Sequence, residues 1–108
     1  LNDTILIVDE AHGAHLDLSD AYPGGALRYG ADIVIHSTHK TLAAMTQTAL
    51  LHAQGVLVDI TLLERYWTIL QTSSPSYVLM ASVAECFRVI EQRGEELYAA
   101  YVKRLQMF

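Results

Sequence analysis

Ile5-Leu6-Ile7-Val8, followed at once by Asp9-Glu10, decides the fold of this chain. Four consecutive apolar residues, three of them β-branched, suit a strand covered on both faces, as in a parallel sheet. The run ends on two carboxylates, so polar chemistry begins where the strand stops. Asp32-Ile33-Val34-Ile35-His36 repeats the design, and its end carries Ser37-Thr38-His39-Lys40. Thr48–His52 reads as a third strand. In open α/β sheets ligands gather outside the carboxyl ends of strands. Asp9–His15 and His36–Lys40 therefore mark the expected site.

Between the first two strands, Gly13 and Tyr22-Pro23-Gly24-Gly25 punctuate a long loop, and Ala26–Tyr29 predicts a short helix closed by Gly30. The second half changes period. Ile60, Leu63, Trp67 and Leu70 recur at helical spacing from about Asp59, and Thr72-Ser73-Ser74-Pro75 interrupts them. Leu79, Val83, Cys86 and Ile90 form the next apolar stripe. Gly94 is expected to end that helix, and Glu95–Phe108 reads as a last one with Glu95 and Glu96 at its N-terminus. The expected class is α/β: strands and a polar loop over about 4–52, a mostly parallel sheet segment, followed by helices over about 56–108. The chain opens on Leu1 and stops at Phe108 inside a helical pattern, so a segment of a longer protein is expected.

Composition narrows the class. Hydrophobic residues make up 52% of the 108 and charged residues 18%, which favours a packed globular segment over a disordered one. A formal charge of −5 leaves no electrostatic footprint for nucleic acid or an anionic membrane surface. No apolar run approaches the roughly 20 residues of a membrane span. Cys86, the single cysteine, reads as a small core residue, and nothing requires an oxidising compartment; a cytoplasmic location is expected. Tyr66, Trp67, Tyr98 and Tyr101 read as packing or dimer residues.

The two strand-end clusters can be read chemically. A lysine in a partly desolvated site can lose its proton, and its amine can then attack a carbonyl to form a Schiff base. Ser37, Thr38 and Thr41 beside Lys40 offer hydroxyl donors to a phosphate. Asp9 offers an acceptor that could hold a proton on a pyridine nitrogen. Pyridoxal 5′-phosphate (PLP) asks for these parts together: a Schiff-base lysine, a carboxylate for the ring nitrogen, and phosphate donors. Taken singly, such a lysine is an ordinary solvated residue and such an aspartate an ordinary turn residue.

Longer stretches carry a resemblance. Val8-Asp9-Glu10-Ala11-His12-Gly13-Ala14-His15, then Gly30-Ala31-Asp32, then Ser37-Thr38-His39-Lys40-Thr41-Leu42 resemble the PLP-binding core of the ornithine/lysine/arginine decarboxylases. Gln47-Thr48, Thr72-Ser73-Ser74-Pro75-Ser76-Tyr77 and Met80-Ala81-Ser82 continue it in order, so that it spans about residues 5–94. Asp-x-Ala and Ser-x-His-Lys alone indicate only the wider aspartate-aminotransferase-like group; the Thr-Ser-Ser-Pro-Ser-Tyr stretch narrows it. The resemblance implies part of the PLP-binding large domain of a fold type I enzyme, here residues 1–108. It implies decarboxylation of lysine, arginine or ornithine, the choice being left open.

It also implies roles. Asp9 would pair with the ring nitrogen, Ala11 would pack on the ring, and His12 would lie near the cofactor. Ser37 and His39 would bind the phosphate or its surroundings. Lys40 would form the Schiff base, with Lys40 or His39 returning a proton to the substrate. Thr72 and Ser73 would approach the neighbouring subunit's cofactor, implying a homodimer or higher oligomer with a shared site. The family's upstream phosphate loop and ring-stacking aromatic have no counterpart in this sequence, so the chain alone is expected to be inactive.

Three other readings compete. Asp9-Glu10-Ala11-His12 closing a strand is also the signature of a DEAH-box ATPase, with Ser37-Thr38 near its second motif; the negative charge and the idle Lys40 speak against it. His12 with His15, and His36 with His39, sit three apart beside Asp9, a spacing open to Zn²⁺, although Gly13 disfavours a common helix face; no metal is expected. A homologue that keeps the PLP fold without catalysis is the third.

Overall fold

The computed structural model describes residues 3–108; Leu1 and Asn2, included in the expected segment, lie outside the described residues. Three strands form one sheet in the order β1-β2-β3: β1 (Ile7–Asp9), β2 (Ile33–His36) and β3 (Leu50–Ala53). Between β2 and β3 stands α1 (Thr38–Thr41), and α2 (Ile60–Leu70) and α3 (Tyr77–Leu105) follow. β1 and β2 run parallel with Ile7 opposite Ile33 and Asp9 opposite Ile35. β3 runs antiparallel to β2, with His36 opposite Leu50. The sheet is therefore mixed, not mostly parallel. The four residues of α1 rise only about 6 Å, whereas a strand of four is about 13 Å long. The chain is not carried back to the start of β2, and it turns at Met45–Thr48, where Gln47 takes φ 78°.

The core lies on β2 and beneath its end. Val34 and Thr38 are fully buried, and Ala31 nearly so. β1 departs from the expectation of a strand covered on both faces: it lies at the edge of the sheet, and Ile7 is 60% exposed. Asp32 ties its start to β2, accepting from the Leu6 N–H at 2.8 Å while its own N–H donates to the Leu6 carbonyl at 3.0 Å.

Residues 26–30 form successive turns, not the expected short helix. The N–H groups of Arg28, Tyr29 and Gly30 each donate to the carbonyl three residues earlier. Gly30 nevertheless closes the segment: at φ 87° it allows the Ala31 N–H to reach the Ala26 carbonyl at 3.0 Å, the Schellman pattern. α2 begins where Asp59 accepts from the Leu62 N–H at 2.9 Å. Ser76 caps α3 in the same way, after the interruption at Thr72–Pro75.

α3 continues through Gly94 for 29 residues, so no helix ends there and none starts at Glu95. One interior glycine costs a helix about 1 kcal/mol, too little to stop one flanked by good helix formers. Gly94 is buried, and a Cβ there would lie 3.0 Å from Ile90 Cγ2. Three contacts seat α3 on the loops of the sheet half. Ser82 Oγ accepts from the Met45 N–H at 2.7 Å, Ser19 Oγ donates to Glu95 Oε1 at 3.4 Å, and the Tyr22 and Tyr98 rings meet edge-on at 5.7 Å. Among the described residues no helix is long and apolar enough to cross a membrane.

Candidate active site

The parallel pairing of β1 and β2 continues past the ends of both strands. The Glu10 N–H donates to the Ile35 carbonyl at 3.0 Å, and the Ser37 N–H to the Ala11 carbonyl at 3.3 Å. Asp9–Ala11 and Ile35–Ser37 therefore run side by side at one edge, as the two polar clusters predict. Asp9 is exposed, and its Oδ1 accepts from the Ala11 N–H at 3.1 Å. Its Oδ2 carries no hydrogen bond among the described residues.

Ser37 precedes α1 without capping it, so its hydroxyl is uncommitted there. Thr38 is locked beneath: its Oγ1 donates to Thr48 Oγ1 at 2.6 Å, which donates to the Met45 carbonyl at 2.7 Å. The Thr48 carbonyl also accepts from the Thr38 N–H at 3.2 Å and lies 2.9 Å from His39 Nδ1. A carbonyl only accepts, so Nδ1 carries the proton and Nε2 is the atom left for other work. Lys40 follows on this anchored turn. It is exposed and makes no ion pair among the described residues.

Lys40 also lines a cavity of about 520 Å³ whose apolar wall is Cys86, Val89 and Ile90 of α3. Asp9 and Ser37 do not line it, so this cavity faces α3 and not the two strand ends. His12 is exposed in the first loop. Thr72 and Ser73 are exposed between α2 and α3, where Thr72 Oγ1 accepts from the Ser74 N–H at 3.2 Å, and no hydrogen bond among the described residues joins them to the strand ends.

The family model for the Orn/Lys/Arg decarboxylase major domain matches residues 1–108. The chain belongs to the Orn/Lys/Arg decarboxylase family. Among similar proteins, the arginine decarboxylase of Bacillus cereus is 37% identical over 95 residues, covering 88% of this chain and 21% of that protein. The arginine decarboxylase of Bacillus anthracis is 34% identical over 95 residues, covering 88% of this chain and 19% of that protein. The uncharacterized protein YaaO of Bacillus subtilis (strain 168) is 48% identical over 79 residues, covering 72% of this chain and 16% of that protein. The chain spans about one-fifth of the length of the curated relatives it matches.

For this family member, one part of the site is invisible to motif reading. Glu10 Oε2 lies 2.8 Å from His36 Nε2, and Oε1 accepts from the Ala26 N–H at 3.0 Å. The His36 ring in turn meets His52 edge-on at 4.8 Å. The signal available beforehand was alternation: Val34 points inward on β2, and so does His36 two residues on. One of these contacts also bears on a rival reading. Glu10 is engaged by protein donors, where an ATPase would aim it at Mg²⁺ and water. Among the described residues no group of three or more His, Cys, Asp or Glu side chains is placed to hold a metal ion.

Burial holds His52 below the ordinary imidazole range, the His36 charge adds to this, and Glu10 opposes it. His15 is lowered likewise, by burial against the pull of Glu10. Both imidazoles take up protons more readily in the unfolded chain. Their contribution to stability is complete above the ordinary imidazole range and is lost as pH falls through it. The protein is expected to melt lower at about pH 5.5 than at about pH 7.5, and His52→Gln to flatten that dependence. An unchanged slope in the variant, followed by thermal melts, would remove His52 from the account.

Proposed function

We propose that the protein carrying this chain is a PLP-dependent decarboxylase of a basic amino acid, with Lys40 as the lysine that binds the cofactor. The observation that carries this is the ladder past the strand ends, which sets Asp9 and Ser37 on adjoining backbone with Lys40 one turn further on. The donor set fits the cofactor. Among the described residues Asp9 keeps an open carboxylate oxygen, Ser37 an uncommitted hydroxyl, and Lys40 an unpaired amine. Bound PLP supplies an electron sink for the charge left at the substrate Cα when CO₂ departs.

The chain's own residues divide the remaining work. Asp9 holds the proton on the ring nitrogen, and Ala11 packs against the ring with His12 nearby. Ser37 and His39 hold the phosphate or its surroundings. Lys40 would hold the cofactor through Nζ and would supply a base beside the substrate. Lys40 Nζ or His39 Nε2 returns the proton to Cα. Thr72 and Ser73 serve the neighbouring subunit's site in a homodimer or higher oligomer. We place the enzyme in the cytoplasm. The arginine decarboxylases among its relatives make arginine the first substrate to assay, ahead of lysine and ornithine.

The test is chemical. Borohydride reduction of the purified enzyme, digestion and mass spectrometry are expected to find a phosphopyridoxyl group on the Lys40 peptide, and arginine is expected to yield its amine. A peptide without label after added PLP overturns the cofactor assignment. A labelled enzyme that forms no amine from any of the three amino acids favours a non-catalytic homologue.

A further inference from the structure

We infer that Glu10 is a positioning residue for Asp9: its carboxylate, gripped by the Ala26 N–H and by His36 Nε2, fixes the strand-end turn from which Asp9 presents its open oxygen. The inference rests on the reading of Asp9 as the partner of the ring nitrogen.

Asp9 is poorly held by its own side chain. It is exposed, and the Ala11 N–H is its one hydrogen-bond partner among the described residues. A carboxylate at such a position is only as well aimed as the backbone beneath it. That backbone is fixed through the next residue. Side chains alternate along a strand end, so Glu10 leaves on the other side from Asp9 and enters the space under the first loop. There the Glu10 side chain is 15% exposed and the His36 side chain 9%. Its main-chain N–H is bound to Ile35, and its carboxylate to His36 and Ala26. Both ends of Glu10 therefore grip β2 or the turn beside it. Hydrogen bonds to a charged acceptor in such a partly desolvated place are among the stronger ones.

Two glycines show that the fold makes room for this carboxylate. A Cβ at Gly13 would lie 2.3 Å from Glu10 Cγ and 2.8 Å from Cδ. One at Gly25 would lie 3.0 Å from Glu10 Oε2 and 2.7 Å from Asp17 Oδ2. Neither glycine has a positive φ; those are Gly24, Gly30 and Gly55. Backbone freedom does not account for Gly13 and Gly25. Space does: at Gly13 for the Glu10 side chain, and at Gly25 for the Asp17 and Glu10 carboxylates together.

The test is a double-mutant cycle read by PLP affinity, titrating the apoenzyme by absorbance. Glu10→Gln is expected to raise the PLP dissociation constant about tenfold, which is about 1.4 kcal/mol. If Glu10 acts through Asp9, Glu10→Gln adds little once Asp9→Asn is present, because the two changes share one effect. Independent, additive losses overturn the inference, as does wild-type affinity in Glu10→Gln. A wild-type apoenzyme that binds no PLP overturns the reading of Asp9 itself, a different failure. Should Glu10→Gln not fold, His36→Phe removes the same contact from the other side while leaving Glu10 on Ala26. The same non-additivity with Asp9→Asn is expected, and additive losses again overturn the proposal.

Discussion

Lys40→Ala is expected to lower turnover of the enzyme carrying this chain by at least about 10³-fold, with the thermal midpoint of the apoenzyme unchanged. The two halves of that expectation have separate grounds. Stability holds because the side chain is exposed and forms no ion pair among the described residues, and because alanine is the best helix former for the turn it occupies. The anchoring of that turn belongs to Thr38, His39 and Thr48, which the substitution leaves alone. On the proposed assignment activity falls because the amine assigned to the cofactor and to base work is gone. Lys40→Arg separates charge from chemistry: it keeps the cation but cannot be deprotonated, so it is expected to be as inactive as the alanine variant. Amine product from arginine is the readout, with the Lys40 peptide scanned for a phosphopyridoxyl group. Turnover within tenfold of wild type in Lys40→Ala would end the assignment.

Sequence reading reached the parts of this site that short-range chemistry specifies. Ile33-Val34-Ile35 is a continuous apolar run, and it forms β2 with Val34 buried. Asp59 stands before a helical stripe and caps α2. The clusters at Asp9 and Lys40 follow such runs, so their place at strand ends was legible. What escaped depends on distance or on small energies. Periodicity carries no strand direction, which is why β3 turned out antiparallel. The Glu10–His36 contact joins residues 26 apart in sequence, and no local pattern announces it. Gly94 looked like a stop because glycine so often is one, yet its cost of about 1 kcal/mol is small beside the packing of α3 on either side of it. The outward-facing Ile7 shows a further limit, since an apolar run specifies what a strand can bury and not what covers it.

Asp9→Asn is expected to reduce turnover by about 10²- to 10³-fold while leaving the cofactor attached to Lys40. Asparagine is nearly isosteric, and its side-chain oxygen can still accept from the Ala11 N–H, so the turn after β1 is preserved. Only the charge goes. Without it a bound PLP would have no anion beside its ring nitrogen to hold the proton there, and would accept charge from the substrate less well. The proposed assignment gives the covalent link to Lys40, past the other strand end, so borohydride should still label the Lys40 peptide in Asp9→Asn. The two variants thus fail in opposite ways: Lys40→Ala loses label and turnover together, whereas Asp9→Asn keeps the label and loses turnover. Asp9→Glu tests whether charge alone suffices. The longer side chain restores the anion but moves it by one methylene from a turn fixed at Ala11, and a well-aimed group tolerates little displacement. Activity between the Asn variant and the wild type is expected. Full activity in Asp9→Asn, measured at saturating PLP, would mean that some other group holds the ring nitrogen and that the open oxygen of Asp9 has no part in the reaction.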